Sequence, residues 1–282
     1  MDLPDHQPPR RKCHRAHARL AQVQALVWAP LAAELQGVAR VLLVPHAELG
    51  GLPFAALPVP VAGDASGATQ PLGRQLQLAL AASARAAWRG LQRPPRPARR
   101  LLALAESSRL PHAAAEARAV AALFTDASAL IDAQASLPAL RREAPAADVL
   151  HLACHAQFRG DNPRFSALHL HDGALTVEAA EALALPACTV VLSACDTGTA
   201  EIARGDEQVG LVRAFMVAGA ARVLASQWPV DDAVTAQFMA VFHAALAAGQ
   251  APAAALQAAQ ERSRADHPHP AHWAAFALHG GW

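Results

Sequence analysis

The sequence predicts an α/β protein: a mostly parallel sheet with helices on both faces, preceded by a smaller N-terminal subdomain. Three observations predict it. From residue 101 onward, short apolar runs alternate with stretches of helical apolar spacing, as in strand–helix–strand units. Two of these runs, Val149-Leu150-His151-Leu152-Ala153-Cys154-His155 and Thr189-Val190-Val191-Leu192-Ser193-Ala194-Cys195, read as apolar strands that each end in a reactive side chain. The segment Arg93-Pro94-Pro95-Arg96-Pro97 marks a boundary between two parts of the chain.

Residues 1–15, rich in Pro and Arg, are expected to form a disordered basic tail. Residues 16–92 form the N-terminal subdomain. There Leu20, Val23, Leu26, Val27, Leu31 and Leu35 recur at helical spacing, interrupted at Pro30. Val41 to Val44 reads as a strand, Glu48 to Pro53 as a turn, Pro58 to Gly73 as a loop and Leu78 to Leu91 as a helix. Residues 101–282 open with a strand from Leu101 to Ala105 and a helix from Ala113 to Phe124. After the two reactive strands come a helix from Glu207 to Ala218, stopped by Gly219, and a strand from Arg222 to Gln227. Helices from Asp232 to Ala248 and Ala251 to Arg264 precede a closing strand from Trp273 to Leu278. No repeat of solenoid period runs through the chain.

Composition narrows the function classes. At 53% hydrophobic and 17% charged over 282 residues, the chain can build a core and is not globally disordered. A formal net charge of +1 gives no field to steer nucleic acid or an acidic membrane, so neither is expected as a partner. No apolar run reaches bilayer length, and the basic residues Arg10, Arg11, Lys12 and Arg15 are not followed by a secretory core and cleavage site. Cys13, Cys154, Cys188 and Cys195 are irregularly spaced and do not make a disulfide framework. A reduced, cytoplasmic setting is expected, and it keeps a thiol usable.

The chemistry sits at the two strand ends. In an open α/β sheet, neighbouring parallel strands bring their carboxyl ends to one crevice, where ligands bind. An imidazole and a thiol in that crevice are the minimal equipment for acyl transfer. The oxyanion that develops needs backbone N–H donors, and the amides of Ala156 and Cys195, at the loop starts, are candidates. Cys195 stands where its apolar run gives way to Asp196-Thr197-Gly198, a rim position; Cys154, mid-run, and Cys188, after Pro186, read as core. His151 and His155 differ by an even number and are expected on one face of the strand, His151 deeper and His155 nearer the loop.

His151, Cys154 and His155 are also zinc-ligand types. Against zinc, Leu152 replaces the glutamate of the metalloprotease helix, the local run is strand-like, and no Cys-x-x-Cys pair occurs, so no metal or other cofactor is expected. Gly205 to Gly210 is acidic and lacks the Lys-Ser/Thr of a phosphate-binding loop. Asp206, Glu207, Asp231 and Asp232 are candidates to line a pocket for a basic or polar side chain. Helix capping is the favoured reading for them, since Asp206 precedes one helix and Asp231 or Asp232 another, and the two roles are compatible.

Taken in order, these segments resemble the CHAT domain, a caspase-like peptidase module often attached to tetratricopeptide repeats. His151-Leu152-Ala153-Cys154-His155 resembles its His-x-x-x-His-Gly segment, and Leu192-Ser193-Ala194-Cys195-Asp196-Thr197-Gly198 its Leu-Ser-Ala-Cys-x-Thr-Gly segment. Gly210 to Phe215, Ser226-Gln227-Trp228-Pro229-Val230-Asp231-Asp232, His269 to Phe276 and, upstream, Leu49 to Leu57 fit in the same order, so the likeness covers about residues 20–282. The resemblance implies a caspase-like sheet and a Cys-His dyad peptidase, with Cys195 as nucleophile and His155 as general acid/base. It also implies that the loops holding Asp206, Asp231 and Asp232 border the substrate cleft. Where the family has glycine after the second histidine this chain has Ala156, which keeps its N–H. The partners implied are a protein or peptide substrate and a regulatory protein that orders the loops. The alternative is a catalytically silent module of the same fold that only binds partners.

Overall fold

The computed structural model describes residues 10–64, 66–92, 96–157, 162–193 and 207–281, with side chains from residue 15 onward apart from those of residues 163 and 207–209. The described residues open with helix α1 (Arg10–Val23), which takes in residues 10–15 of the expected disordered tail, widens into a π-helical turn at Gln24–Trp28 and tightens into a 3-10 turn at Ala29–Leu31. The widening precedes Pro30, whose ring would clash with the Leu26 carbonyl in a regular helix. Strand β1 (Arg40–Leu43) follows, then two 3-10 turns. The expected loop from Pro58 to Gly73 contains an antiparallel ribbon of β2 (Pro58–Pro60) and β3 (Thr69–Pro71), and the short helix α2 (Leu72–Gln75). The expected helix from Leu78 to Leu91 divides in two. Gln77–Leu80 is strand β4, parallel to β1, and helix α3 (Ala84–Leu91) starts only after Ser83, whose hydroxyl accepts the Ala86 N–H as a cap.

Beyond the Pro-rich segment come β5 (Arg100–Ala105), α4 (Ala113–Ala121), β6 (Asp126–Ile131), α5 (Leu137–Glu143) and β7 (Val149–Ala153). A small antiparallel sheet of β8 (Ala156–Gln157), β9 (Ala167–Leu170) and β10 (Gly173–Thr176) leads into α6 (Val177–Glu181). Then follow β11 (Thr189–Leu192), α7 (Glu207–Val217), β12 (Arg222–Ser226), α8 (Asp232–Ala247), α9 (Pro252–Asp266), the single turn α10 (Pro270–Trp273) and β13 (Phe276–Gly280). The closing strand therefore starts at Phe276, with Trp273 in the turn before it.

One sheet of eight strands runs in the order β1-β4-β13-β12-β11-β7-β5-β6. Neighbours pair in parallel except at β12/β13, where Ser226 faces Phe276 and Arg222 faces Gly280. The sheet is thus mostly parallel with one antiparallel seam. Gly280 has φ +108, and a Cβ there would lie 2.4 Å from the Ala221 carbonyl oxygen, so glycine lets β13 close on the neighbouring chain. Side chains alternate across the sheet. Leu150, Leu152, Val190, Leu192 and Val223 face one core with Leu140, Leu211 and Phe215. Val149, Val191, Leu224 and Leu278 face the other with Val120, Phe238 and Phe242. Each fully buried Leu or Phe contributes about 1.5–3 kcal/mol over an exposed one. No helix among the described residues is long and apolar enough to cross a membrane.

The second core contains a chain of polar groups. The Oε1 atom of Glu116 (α4) lies 2.9 Å from Nε2 of His151 (β7), and Nδ1 of His151 lies 3.1 Å from Nε2 of His243 (α8). Exposure is 4% for Glu116 and 0% for both histidines. Glu116 thus lies within ion-pair distance of His151, and the two imidazoles share one N–H between His151 Nδ1 and His243 Nε2. Burial, together with the adjacent His151 ring, holds the His243 pKa well below 6.5. A buried charge is tolerable only with such partners.

Two outcomes follow from this core. His151→Leu leaves the Glu116 carboxylate buried and alone and lowers stability by about 3–5 kcal/mol in denaturant unfolding, whereas Glu116→Leu/His151→Leu recovers most of that loss. Acid lowers stability as well. His243 stays neutral in the folded chain, and desolvation pushes His279 down to about 4, whereas each binds a proton near 6.5 when unfolded. The unfolded state then holds more protons below pH 6.5, so each histidine removes about 1.4 kcal/mol per pH unit as pH falls from 6.5, for His279 down to about pH 4. Unfolding midpoints measured from pH 7 to pH 4.5 should fall steeply, and a flat profile would contradict the lowered proton affinity of these two rings in the folded chain.

Candidate active site

The antiparallel seam puts the carboxyl ends of β12, β11, β7, β5 and β6 along one rim of the sheet. β7 and β11 are adjacent there. Leu152 pairs with Leu192, and the Ser193 N–H donates to the Leu152 carbonyl at 2.9 Å. His155 and Cys195 each follow a member of this pair by three residues. Cys195 and Asp206 lie outside the described residues, and Glu207 begins α7 with its side chain outside them.

His155 is not on the strand with His151, as its even spacing led one to expect. β7 ends at Ala153, the chain bends at Cys154, and His155 stands at the entry to the small sheet. Two contacts orient it. Its carbonyl accepts the His169 N–H at 2.9 Å, and its ring stacks on that of His169 with centroids 5.6 Å apart. His155 is 8% exposed. The same hydrogen bond defines the neighbouring amide. Ala156 pairs with Leu168 in the antiparallel ladder, and residues 155 and 169 are the hydrogen-bonded pair beside it. The pair 156/168 is then the non-hydrogen-bonded kind, so the Ala156 N–H points away from β9, toward the open edge of the small sheet. Its methyl group is fully buried, in the cluster that holds Cys154 and Leu168.

The remaining candidates separate by position. Desolvation pushes the buried thiols of Cys154 and Cys188 up to about 12, with the Glu106 charge adding to the first, so both are inert core residues. His151 faces α4 and α8, whereas Cys154 faces the opposite core, so the sheet divides the zinc-type set. Asp231 caps α8: its Oδ1 accepts the N–H of Ala233 at 3.0 Å and of Val234 at 3.1 Å. Asp232 does something the sequence did not suggest. Its Oδ2 accepts the His112 N–H at 3.0 Å and ties the start of α8 to the start of α4.

His169 was the omission closest to the site. The signal for it was present, because Leu168-His169-Leu170 alternates and the two-residue turn His171-Asp172 is followed by Gly173. Glu116 and His243, by contrast, join His151 across three elements and have no local signature. A cavity of about 30 Å³ lies where β12 and β13 meet, between Phe54, Gly73, Leu256, Gln257 and Phe276, and has room only for water.

The comparisons concern the family and the fold. The family model described as the CHAT domain matches residues 17–281. Tetratricopeptide repeat protein 28 of Homo sapiens is 37% identical over 100 residues, 35% of this chain and 4% of that protein; its Mus musculus counterpart is 37% identical over 93 residues, 32% and 4%. The chain therefore spans a small fraction of these curated relatives. Among solved structures, the Arg-specific cysteine proteinase gingipain R aligns over 94% of this chain and 66% of its own, with TM-score 0.59 and 10% identity. The Saccharomyces cerevisiae separase–securin complex aligns over 85% of this chain and 15% of its own, with TM-score 0.57 and 12% identity. At such identities the likeness is one of fold, and that fold is the caspase-like one. A match over nearly the whole chain, on a sheet of this order, means that the chain belongs to the CHAT domain family.

Proposed function

We propose that the chain is a cysteine endopeptidase in which Cys195 is the nucleophile and His155 the general acid/base, acting on protein substrates. The observation that supports this most is the β7/β11 register, with Leu152 opposite Leu192 and each of the two residues three positions further along the sequence. In this reading His155 takes the thiol proton, the Cys195 sulfur attacks the scissile carbonyl carbon, and the C–N bond breaks as His155 returns the proton to the leaving amine. Water, deprotonated by His155, then hydrolyses the acyl-enzyme and frees the thiol. The backbone N–H groups of Ala156 and Cys195 would hold the oxyanion, a role for which the outward-turned Ala156 amide is suited.

Asp206, Glu207, Asp231 and Asp232 would border the cleft and favour a basic or polar substrate side chain. Asp231 uses Oδ1 for its cap and Asp232 uses Oδ2 for His112, so the second oxygen of each is the one offered to substrate. Residues 101–282 would be the catalytic subdomain, with residues 16–92 as a smaller one whose β1 and β4 extend the sheet. A reducing, cytoplasmic setting would keep the thiol active, and a protein partner would order the loops. The second reading is a silent partner-binding module. It draws on relatives named for tetratricopeptide repeats, of which this chain matches only a small part.

Cleavage of a peptide library by the parent, Cys195→Ala and His155→Ala separates the readings. Peptidase function predicts background activity for Cys195→Ala and a loss of roughly 10²–10⁴-fold in kcat for His155→Ala. Equal cleavage by all three would refute the dyad. Under the second reading, Cys195 ignores a thiol-reactive peptide probe and Cys195→Ala still captures the partner.

A further inference from the structure

Where β13 begins, the chain reads His267-Pro268-His269-Pro270-Ala271-His272-Trp273. The hydrogen bonds of this corner have a fixed direction. Nδ1 of His269 accepts the Ala271 N–H at 3.2 Å, capping the α10 turn, so that nitrogen carries a lone pair and the ring is neutral. The Ala271 carbonyl accepts the indole N–H of Trp228 at 2.9 Å, and the Pro268 carbonyl accepts that of Trp273 at 3.4 Å. The ring centroid of His272 is 5.5 Å from that of His267 and 6.2 Å from that of His269. Across from them runs α1. Its His17 acts on His269, and its Leu20, three residues on and so on the same face, packs in the cluster of Ala56, Trp273 and Ala274.

We propose that this histidine corner is an acid-operated latch: protonation of His269 removes the acceptor that caps α10 and frees both α1 and the Trp228 segment from the corner. An imidazolium has two N–H groups and no lone pair, so the Ala271 cap does not survive protonation. A further proton on His272, whose ring lies 6.2 Å from that of His269, would repel the first. The charges around the corner are of both signs. Arg15 and Arg19, two residues either side of His17 on α1, are exposed and turned off its face, Asp231 at the start of α8 is the carboxylate acting on His272, and Asp266 on α9 is paired with Arg262 at 3.3 Å. Burial and His17 lower the His269 pKa from 6.5, and burial with the neighbouring imidazoles does the same for His272. The latch is therefore shut at neutral pH and opens in acid.

The seam relates this corner to the candidate site. Because β13 runs against β12, its first residue lies opposite Ser226, at the rim where β12 ends and beside β11. Trp228 leaves the sheet at that point, so an open latch alters the rim beside β11, the strand that precedes Cys195 in the sequence. This last consequence rests on the peptidase reading; the latch itself does not.

The test uses the full chain, with tryptophan emission and far-ultraviolet circular dichroism followed from pH 7.5 downward. The latch predicts a red shift with a midpoint below pH 6.5, at higher pH than any loss of helical signal. Trp228→Phe should reduce that shift. His269→Asn, which supplies a cap acceptor that cannot titrate, should abolish the early phase and leave the later global transition in place. His269→Ala should emit like the open form already at pH 7.5. Coincidence of the two signals in the parent, or an unchanged early phase in His269→Asn, would overturn the proposal. Either result leaves the dyad test of Cys195 and His155 untouched.

Discussion

When the Ser193 N–H meets the Leu152 carbonyl, it completes a parallel ladder in which Thr189, Val190, Val191 and Leu192 stand opposite Val149, Leu150, His151 and Leu152. The rest of the rim depends on that ladder. A slip of one residue would turn the apolar residues of a strand to the wrong face, because side chains alternate with a period of two. Both faces here are packed, with Leu150 and Val190 in one core and Val149 and Val191 in the other, so a slip is penalised on both sides. The register is therefore stiff, and the ends of β7 and β11 inherit the stiffness. The β5/β7 ladder extends it: Leu101 to Ala105 pair in step with residues 149–153, and the Glu106 N–H donates to the Ala153 carbonyl.

A sheet packed this tightly still accepts three ionisable groups beneath β7. Glu116, His151 and His243 come from α4, β7 and α8, so their contacts fix two helices against the strand in a directional way that leucines would not. The apolar walls around them, including Phe124 and Phe242 against the His243 ring, make any loss of a partner costly. That cost resists sliding of α4 and α8 over β7, and Asp232 adds a second tie between the same helices at their amino ends. Polar contacts in this half of the molecule therefore act mainly on position.

What the sequence revealed follows from how far each constraint reaches along the chain. Runs such as residues 189–192 are legible because burial on both faces demands apolar residues in unbroken succession. β4 was not, because Gln77–Leu80 adjoins Ala81 to Ala87, a stretch of good helix formers, and only the Ser83 cap separates them. β13 gains its place from the seam with β12 and the close approach at Gly280, both tertiary facts. At the site, the depth of His151 was legible from its place mid-run, but its partners were not: His243 lies 92 residues away in sequence. The even spacing of His151 and His155 misled for a similar reason. Alternation holds only while a strand lasts, and β7 stops at Ala153.

The bend after Ala153 gives the histidine segment two different kinds of support. Up to that residue the chain is held by neighbours in the large sheet, and from Ala156 by β9 in the small one. His155 sits at the junction, with its carbonyl bonded to His169 and its ring lying against the His169 ring. This arrangement explains how alanine can stand where the resembling segment has glycine. A β-carbon is acceptable because Ala156 has extended backbone and a packed methyl group, and a non-hydrogen-bonded pair leaves its amide directed outward whatever the side chain. The requirement at this position is then for a small residue on an edge strand. A bulky side chain would have to displace Cys154 or Leu168, and through them the bend that orients His155.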